Sequence, residues 1–197
     1  MKIGILALQG AFIEHARMFA SLGIETCEIR LPAEMKHIDG LIIPGGESTT
    51  VLNLMQSFHF IQPLKKLAAA GTPIWGTCAG LICLARNVIN PDGTRMETLG
   101  LMDITVRRNA FGRQVDSFET PLVIEGFQGG LYPGVFIRAP YIDAVGRKVQ
   151  ILGRLPEGEI VAARENNLLV TSFHPELTGD SRFHRFFAGM INRDFSQ

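Results

Sequence analysis

The chain has 197 residues, room for one domain whose core needs no disulfide or metal staple. Its 19 Lys and Arg balance 19 Asp and Glu, which argues against broad electrostatic attraction to nucleic acid or to an anionic membrane surface. The three cysteines lack zinc-ligand or CxxC spacing, and no stretch approaches the ~18 apolar residues of a membrane span. The first apolar run, Met1 to Leu8, is too short for a signal peptide and reads as a buried strand. A soluble, cytoplasmic protein in a reducing compartment is expected.

The first half alternates strand and helix. Ile3 to Leu8 is a continuous apolar run, as in a strand covered on both faces. Phe12, Ala16, Phe19 and Ala20 then recur at helical spacing, and Gly23 supplies a stop. Strands follow at Ile24 to Ile29 and Asp39 to Pro44. Ser48 or Thr49 can cap a helix with an apolar face of Val51, Leu52, Met55 and Phe58. Pro63 suits the first turn of a further helix ending at Gly71, and Pro73-Ile74-Trp75 begins another strand. Such alternation implies a parallel sheet, with ligands at the carboxyl ends of its strands. The loops Gln9-Gly10-Ala11, Gly45-Gly46-Glu47-Ser48 and Gly76-Thr77-Cys78 all leave such ends and are predicted to meet on one rim.

The second half carries short β-like runs at Leu101 to Arg107, Pro121 to Ile124, Val135 to Ala139, Val149 to Arg154, Ile160 to Arg164 and Leu168 to Phe173. They read as antiparallel strands added to the sheet. Phe183, Phe186, Phe187, Met190 and Ile191 mark a last amphipathic helix, capped by Asp180 or Ser181. The fold class is α/β: a flavodoxin-like open sheet with a parallel core, added antiparallel strands and helices on both faces, in one domain spanning residues 1–197.

Gly76-Thr77-Cys78-Ala79-Gly80, between a strand and a helix, is the cysteine form of the nucleophile elbow. The helix dipole favours a thiolate there, and the thiolate is the attacking species. Cys27 and Cys83 fit small core residues. A catalytic cysteine needs a base, and the base an orienter. Among His15, His37, His59, His174 and His184, only His174 ends a strand. Two residues on, Glu176 falls on the same side of an extended chain stiffened by Pro175. The backbone N–H of Ala79 and the Gly45-Gly46 turn, through Gly46, can form an oxyanion hole. Alone, each segment also fits an ordinary structural role: a core cysteine, a strand exit, a tight βα turn.

Together these segments resemble the class I, triad-type glutamine amidotransferases. Leu8-Gln9-Gly10-Ala11, Gly45-Gly46-Glu47-Ser48-Thr49-Thr50, the block from Arg108 to Glu119 and Phe136-Ile137-Arg138-Ala139-Pro140 resemble the glutaminase subunits of two-subunit pyridoxal 5′-phosphate synthases. The resemblance implies hydrolysis of L-glutamine to glutamate and ammonia through a γ-glutamyl thioester on Cys78, with His174 as base and Glu176 as its orienter. It implies substrate contacts at Gly46, Glu47, Ser48, Arg108, Ile137 and Arg138; Arg108 and Arg138 suit an α-carboxylate. It also implies a (β/α)₈-barrel synthase subunit as partner, in a large hetero-oligomer, and no cofactor or metal for this chain. Free ammonia protonates in water and this chain leaves no length for an acceptor domain, so a receiving partner is expected. In that family docking activates the glutaminase. The Gly45-Gly46 peptide, set by contacts near Gln9, is the expected point of control. His15 and its helix are expected either at the docking surface or on a solvated face. A glutaminase of imidazole glycerol phosphate or purine synthesis, another cysteine hydrolase of flavodoxin-like fold, and an inactive binding module are the alternatives.

Overall fold

The computed structural model describes residues 1–108 and 117–192; residues 109–116 of the Arg108-to-Glu119 block lie outside the described residues. The chain runs β1 (Lys2–Leu6), α1 (Phe12–Ser21), β2 (Glu25–Ile29), a 3-10 turn (Pro32–His37), β3 (Gly40–Ile43), α2 (Ser48–Ser57), α3 (Ile61–Ala69), β4 (Ile74–Thr77) and α4 (Ala79–Leu84). It continues through β5 (Ala85–Ile89), β6 (Met102–Arg107), β7 (Ser117–Leu122), β8 (Tyr132–Ile137), β9 (Tyr141–Val145), β10 (Gln150–Arg154), β11 (Ile160–Glu165) and β12 (Leu168–Thr171). A 3-10 turn (Pro175–Leu177) and α5 (Arg182–Asn192) complete it.

Five strands form a parallel core in the order β2-β1-β3-β4-β12. The order reverses between β1 and β3, and open α/β sheets bind their ligands outside such a point. Beyond β12 the sheet turns antiparallel through β11 and β9 to β6, with β10 also on β11; β5 then runs parallel to β6. The expected parallel core with added strands is present, but β12, expected among the antiparallel additions, pairs in parallel with β4 and belongs to the core. Two of the strands, β5 and β9, are missing from the sequence reading. In β5, Ala85-Arg86-Asn87-Val88-Ile89 has only Val88 and Ala85 fully buried, so its apolar pattern is thin. A second difference is that β7 and β8 do not join the main sheet but pair with each other as a separate hairpin.

Period-2 alternation divides the parallel strands between two cores. Leu41, Ile43 and Ile74 face one side, packed with Val51 and Met55 of α2, Leu64 of α3 and Leu81 and Leu84 of α4. Ile3, Ile5, Ile42 and Trp75 face the other, against Phe19 of α1 and Phe183 and Phe187 of α5. The β7–β8 hairpin joins this second core through Leu122, Tyr132 and Phe136, the last two in ring contact with Phe173. Phe173 directly precedes His174, so the hairpin braces the end of β12.

The α2 cap differs from the expectation of Ser48 or Thr49. Glu47 is the N-cap, and its carboxylate accepts from Thr49 N at 3.0 Å and Thr50 N at 2.7 Å. The longer side chain reaches two orphan N–H groups of the first turn at once, and its charge suits the positive end of the helix.

Candidate active site

Cys78 sits where β4 gives way to α4. Its backbone is in an unusual conformation, φ 46° and ψ −98°, of a kind that costs about 1–3 kcal/mol. Neighbouring contacts hold it there. Cys78 N donates to Thr171 O at 2.8 Å, tying the elbow to the end of β12. The flanking glycines permit the tight crossing: a Cβ on Gly80 would lie 1.9 Å from Ile43 O, and one on Gly76 would run into the backbone of Gly80. Ala79 is the first residue of α4, so its N–H has no partner within the helix.

His174 follows β12 and is anchored by its own N–H on Val135 O at 2.8 Å. Its Nδ1 meets Glu176 Oε1 at 2.7 Å. The pair is built differently from the extended geometry read in the sequence. Pro175–Leu177 is a 3-10 turn, and this turn brings the carboxylate back beneath the imidazole. Glu176 is 6% exposed and His174 7%. Burial acts to lower the His174 pKa, but the hydrogen bonds and charges of Cys78 and Glu176 outweigh it and raise the value to about 10. Glu176 stays below the usual carboxylate range: burial opposes its charge, and His15 and the bond to His174 overcome that.

The three loops predicted to share a rim do so, around a cleft of about 520 Å³. Cys78, Ala79 and His174 form one wall, with Gly45 and Gly46 beside them. Gly45 lies so close that a Cβ there would meet the His174 ring and Cys78 Cβ. Glu47, Ser48, Arg108, Ile137 and Arg138 also line the cleft, as does Gln9. Every site residue singled out from the sequence is thus at the cleft except Glu176, which stands behind His174. Cys78 Sγ lies 4.0 Å from Ile137 O, and Arg138 adopts φ 43° at the cleft edge.

The loops are cross-braced. Ala11 N donates to Gly45 O at 3.0 Å, and Glu47 N donates to Gln9 Oε1 at 2.8 Å. Arg108 bonds Asn90 Oδ1 at 3.0 Å and Glu47 Oε1 at 3.3 Å. The Glu47 pKa falls to about 2, because the Thr50 and Thr49 donors outweigh its partial burial. Among the described residues no three His, Cys, Asp or Glu side chains gather as a metal site.

Two histidines, His15 and His184, stand behind the site. His15 is neither at a surface nor on a solvated face. It is fully buried, 3.4 Å from Glu176 Oε2, 3.0 Å from His184 Nε2 and 3.3 Å from Thr77 Oγ1. Its position at helical spacing from Phe12 and Phe19 on the buried face of α1 was the available signal. Of the other cysteines, Cys83 is a core residue whose thiol burial pushes up to about 12, and Cys27 is half-buried.

The chain is similar to known proteins over nearly its whole length. The sequence profile of the SNO glutamine amidotransferase family matches residues 5–193. The pyridoxal 5′-phosphate synthase subunit PdxT of Dehalococcoides mccartyi is 57% identical over 96% of this chain and 97% of that protein. The PdxT subunits of Herpetosiphon aurantiacus and Bacillus licheniformis are 54% and 50% identical, each over at least 96% of both chains. A crystal structure described as a glutamine amidotransferase superposes with a TM-score of 0.89 at 42% identity, covering 96% of this chain and 98% of that one. A putative GMP synthase subunit from Thermoplasma acidophilum, at 16% identity and a TM-score of 0.71, shares the fold. With a matching profile over nearly its whole length and relatives of this identity, the chain belongs to the SNO glutamine amidotransferase family.

Proposed function

We propose that this chain is the glutaminase subunit of a pyridoxal 5′-phosphate synthase, hydrolysing L-glutamine to glutamate and ammonia. The observation that carries the proposal is the convergence of the Cys78 elbow and His174 in one cleft, with Glu176 bonded behind His174, in a chain of this family. The proton of the Cys78 thiol passes to His174, and the thiolate attacks the side-chain amide carbon of glutamine. The oxyanion forms beside the N–H groups of Ala79 and Gly46. His174 returns the proton to the departing nitrogen, ammonia leaves and a γ-glutamyl thioester remains. Water, deprotonated by His174, attacks the thioester and releases glutamate, and the proton returns to the thiol. Glu176 holds His174 with Nδ1 protonated, so that Nε2 is the atom that trades protons with sulfur.

The cleft contains the groups that would hold an amino acid. Arg108 and Arg138 supply cationic donors for its α-carboxylate; Glu47 and Ser48 offer oxygens toward its α-amino group; Ile137 and its carbonyl bound the chain. The ammonia goes to a synthase subunit, a (β/α)₈ barrel in a large hetero-oligomer. The Gly45–Gly46 peptide is held through Ala11, and the next peptide through Gln9. Docking contacts that reach residues 9–11 would therefore act on the oxyanion hole, which supports Gln9 as an activation residue.

Glutamate release from L-glutamine by the wild type and by Cys78→Ala, with and without the synthase subunit, is the test. Turnover that requires both Cys78 and the partner is expected. Cys78-dependent turnover indifferent to that subunit would move the chain to another amidotransferase pathway, and no turnover in its presence would overturn the glutaminase reading.

A further inference from the structure

The catalytic carboxylate has two oxygens, and the reaction above uses one. Glu176 Oε1 takes the His174 hydrogen bond, while Oε2 is buried without a well-formed hydrogen bond among the described residues. A buried carboxylate oxygen in that state is costly unless a dipole or charge faces it. The group that faces it is His15 Nε2, at 3.4 Å. His15 is in turn held from behind by His184 Nε2 on its Nδ1, at 3.0 Å.

The tautomers of both rings follow from the network. Were His15 protonated on Nδ1, its Nε2 lone pair would face the carboxylate oxygen, and His184 would have to carry its proton on Nδ1. That Nδ1 is buried and has no partner among the described residues. An orphaned buried donor is rarer and costlier than an orphaned acceptor. Both ends of the chain therefore select the same arrangement. His184 Nε2–H donates to His15 Nδ1, and His15 Nε2–H points at Glu176 Oε2 and Thr77 Oγ1. Burial lowers the pKa of both histidines, His184 to about 2, so each acts as a neutral dipole.

We propose that His15 is a positioning residue for the Cys78–His174–Glu176 set, its Nε2–H fixing the second oxygen of Glu176 and its ring fixed by His184 and Thr77. The proposal rests on the glutaminase reading above. His15 is not part of the cleft wall, so it acts through Glu176 and leaves substrate binding alone. The groups that face it are Glu176 and His174 from the turn after β12, His184 from α5, Glu14 from its own helix, and the non-titrating Thr77 and Trp75 from β4. Because His15 lies one helical turn from the loop of Gln9 to Ala11, α1 joins the Glu176 side of the site to the oxyanion side.

The test compares His15→Leu, His15→Asn and His15→Gln in the complex with the synthase subunit. Gln can place an amide donor where Nε2 stands; Asn is too short, and Leu has none. For Leu and Asn, kcat is expected to fall about 10- to 100-fold with KM unchanged. The acid limb of the kcat profile should move to higher pH, because Glu176 loses a donor that favours its charged form. Gln should restore most of kcat and the wild-type limb. Equal kcat and an unmoved limb in Leu, or equal losses in Gln and Asn, would overturn the proposal. Should Leu fail to fold, the Gln–Asn pair decides. The pH dependence of Cys78 alkylation by iodoacetamide, followed on the Cys78 peptide, reads the same effect without glutamine. A wild type that shows no glutamine turnover while its alkylation profile still shifts in Asn and returns in Gln would sink the glutaminase reading and keep the positioning role. An alkylation profile identical in the wild type, Asn and Gln would sink the positioning role.

Discussion

Replacing Gly80 with alanine sets two effects against each other, and the structure decides between them. Gly80 is the second residue of α4, where alanine is the better helix former by up to about 1 kcal/mol. The added Cβ would stand 1.9 Å from Ile43 O, more than about 1 Å inside any tolerable contact. That oxygen cannot swing aside, because Ile43 pairs with Gly76 in the β3–β4 ladder. Nor can the helix retreat freely, since Cys78 N is tied to Thr171 O. Overpacking against fixed backbone costs about 3 kcal/mol, so the net loss should be about 2–3 kcal/mol, lowering Tm by about 4–12 °C for a chain of this size. A displacement of about 1 Å at the elbow should also reduce glutaminase kcat about 100-fold. Thermal denaturation followed by circular dichroism measures the first, and glutamate release in the complex the second. Gly179→Ala is the control: nothing lies within 4 Å of its Cβ position, and its stability should change by less than about 0.5 kcal/mol. A Gly80→Ala protein with wild-type Tm and turnover, or a Gly179→Ala protein equally destabilised, would refute the reasoning.

Further predictions concern charge. Glu176→Gln keeps the shape but loses the carboxylate that fixes the His174 tautomer; kcat should fall at least about 100-fold with little change in KM, read by steady-state kinetics with the synthase subunit. Glu47→Ala removes the α2 cap and should cost about 1 kcal/mol by denaturant titration. For pH, the signs differ by group. The depressed Glu176 contributes stability present above about pH 4.5 and lost as pH falls. His174 contributes stability that is full below about pH 6.5 and lost as pH rises toward about 10. His15 and His184, held neutral, contribute above about pH 6.5 and lose it on acidification, because the unfolded chain binds their protons first. Stability measured by denaturant titration should therefore fall from about pH 6.5 downward. The slope in His184→Phe should be shallower by up to about 1.4 kcal/mol per pH unit.

Legibility in the sequence followed how local the determining forces are. The Cys78 elbow, the Gly45-Gly46 turn and the rim of strand ends were readable because each rests on short-range pattern: an apolar run, then glycines, then a helical period. Glu176 was readable as a neighbour of His174, but the 3-10 turn that makes the pair is set by long-range anchors, His174 N on Val135 O and Phe173 packed on Tyr132 and Phe136. The strands β5 and β9 were lost because their faces are only partly buried, which blurs the alternation. The N-cap went to Glu47 rather than to Ser48 because a carboxylate can span two donors, a choice that residue type alone does not reveal. His15 reads as a docking-surface or solvated residue because the groups that pair with it are remote in the sequence. The histidine and carboxylate that enclose it come from residues more than 160 positions away.

The strain at Cys78 is local, yet it is held from two distant strands as well as by the first turn of α4. Alone, Gly76 to Gly80 would relax to an ordinary strand-to-helix turn and gain about 1–3 kcal/mol in doing so. It stays because β3 occupies one side of it through Ile43 and β12 the other through Thr171. Both strands also carry the site's other parts: Gly45 and Gly46 follow β3, and His174 and Glu176 follow β12. The same two contacts that enforce the elbow therefore set the distance from nucleophile to oxyanion peptide and from nucleophile to base. Loosening either should change stability and turnover together. Changes on the α1 side, at His15 or Gln9, should alter turnover with a smaller effect on stability, because no strained backbone depends on them. Measuring Tm beside kcat for Gly80→Ala and His15→Asn separates these two kinds of support.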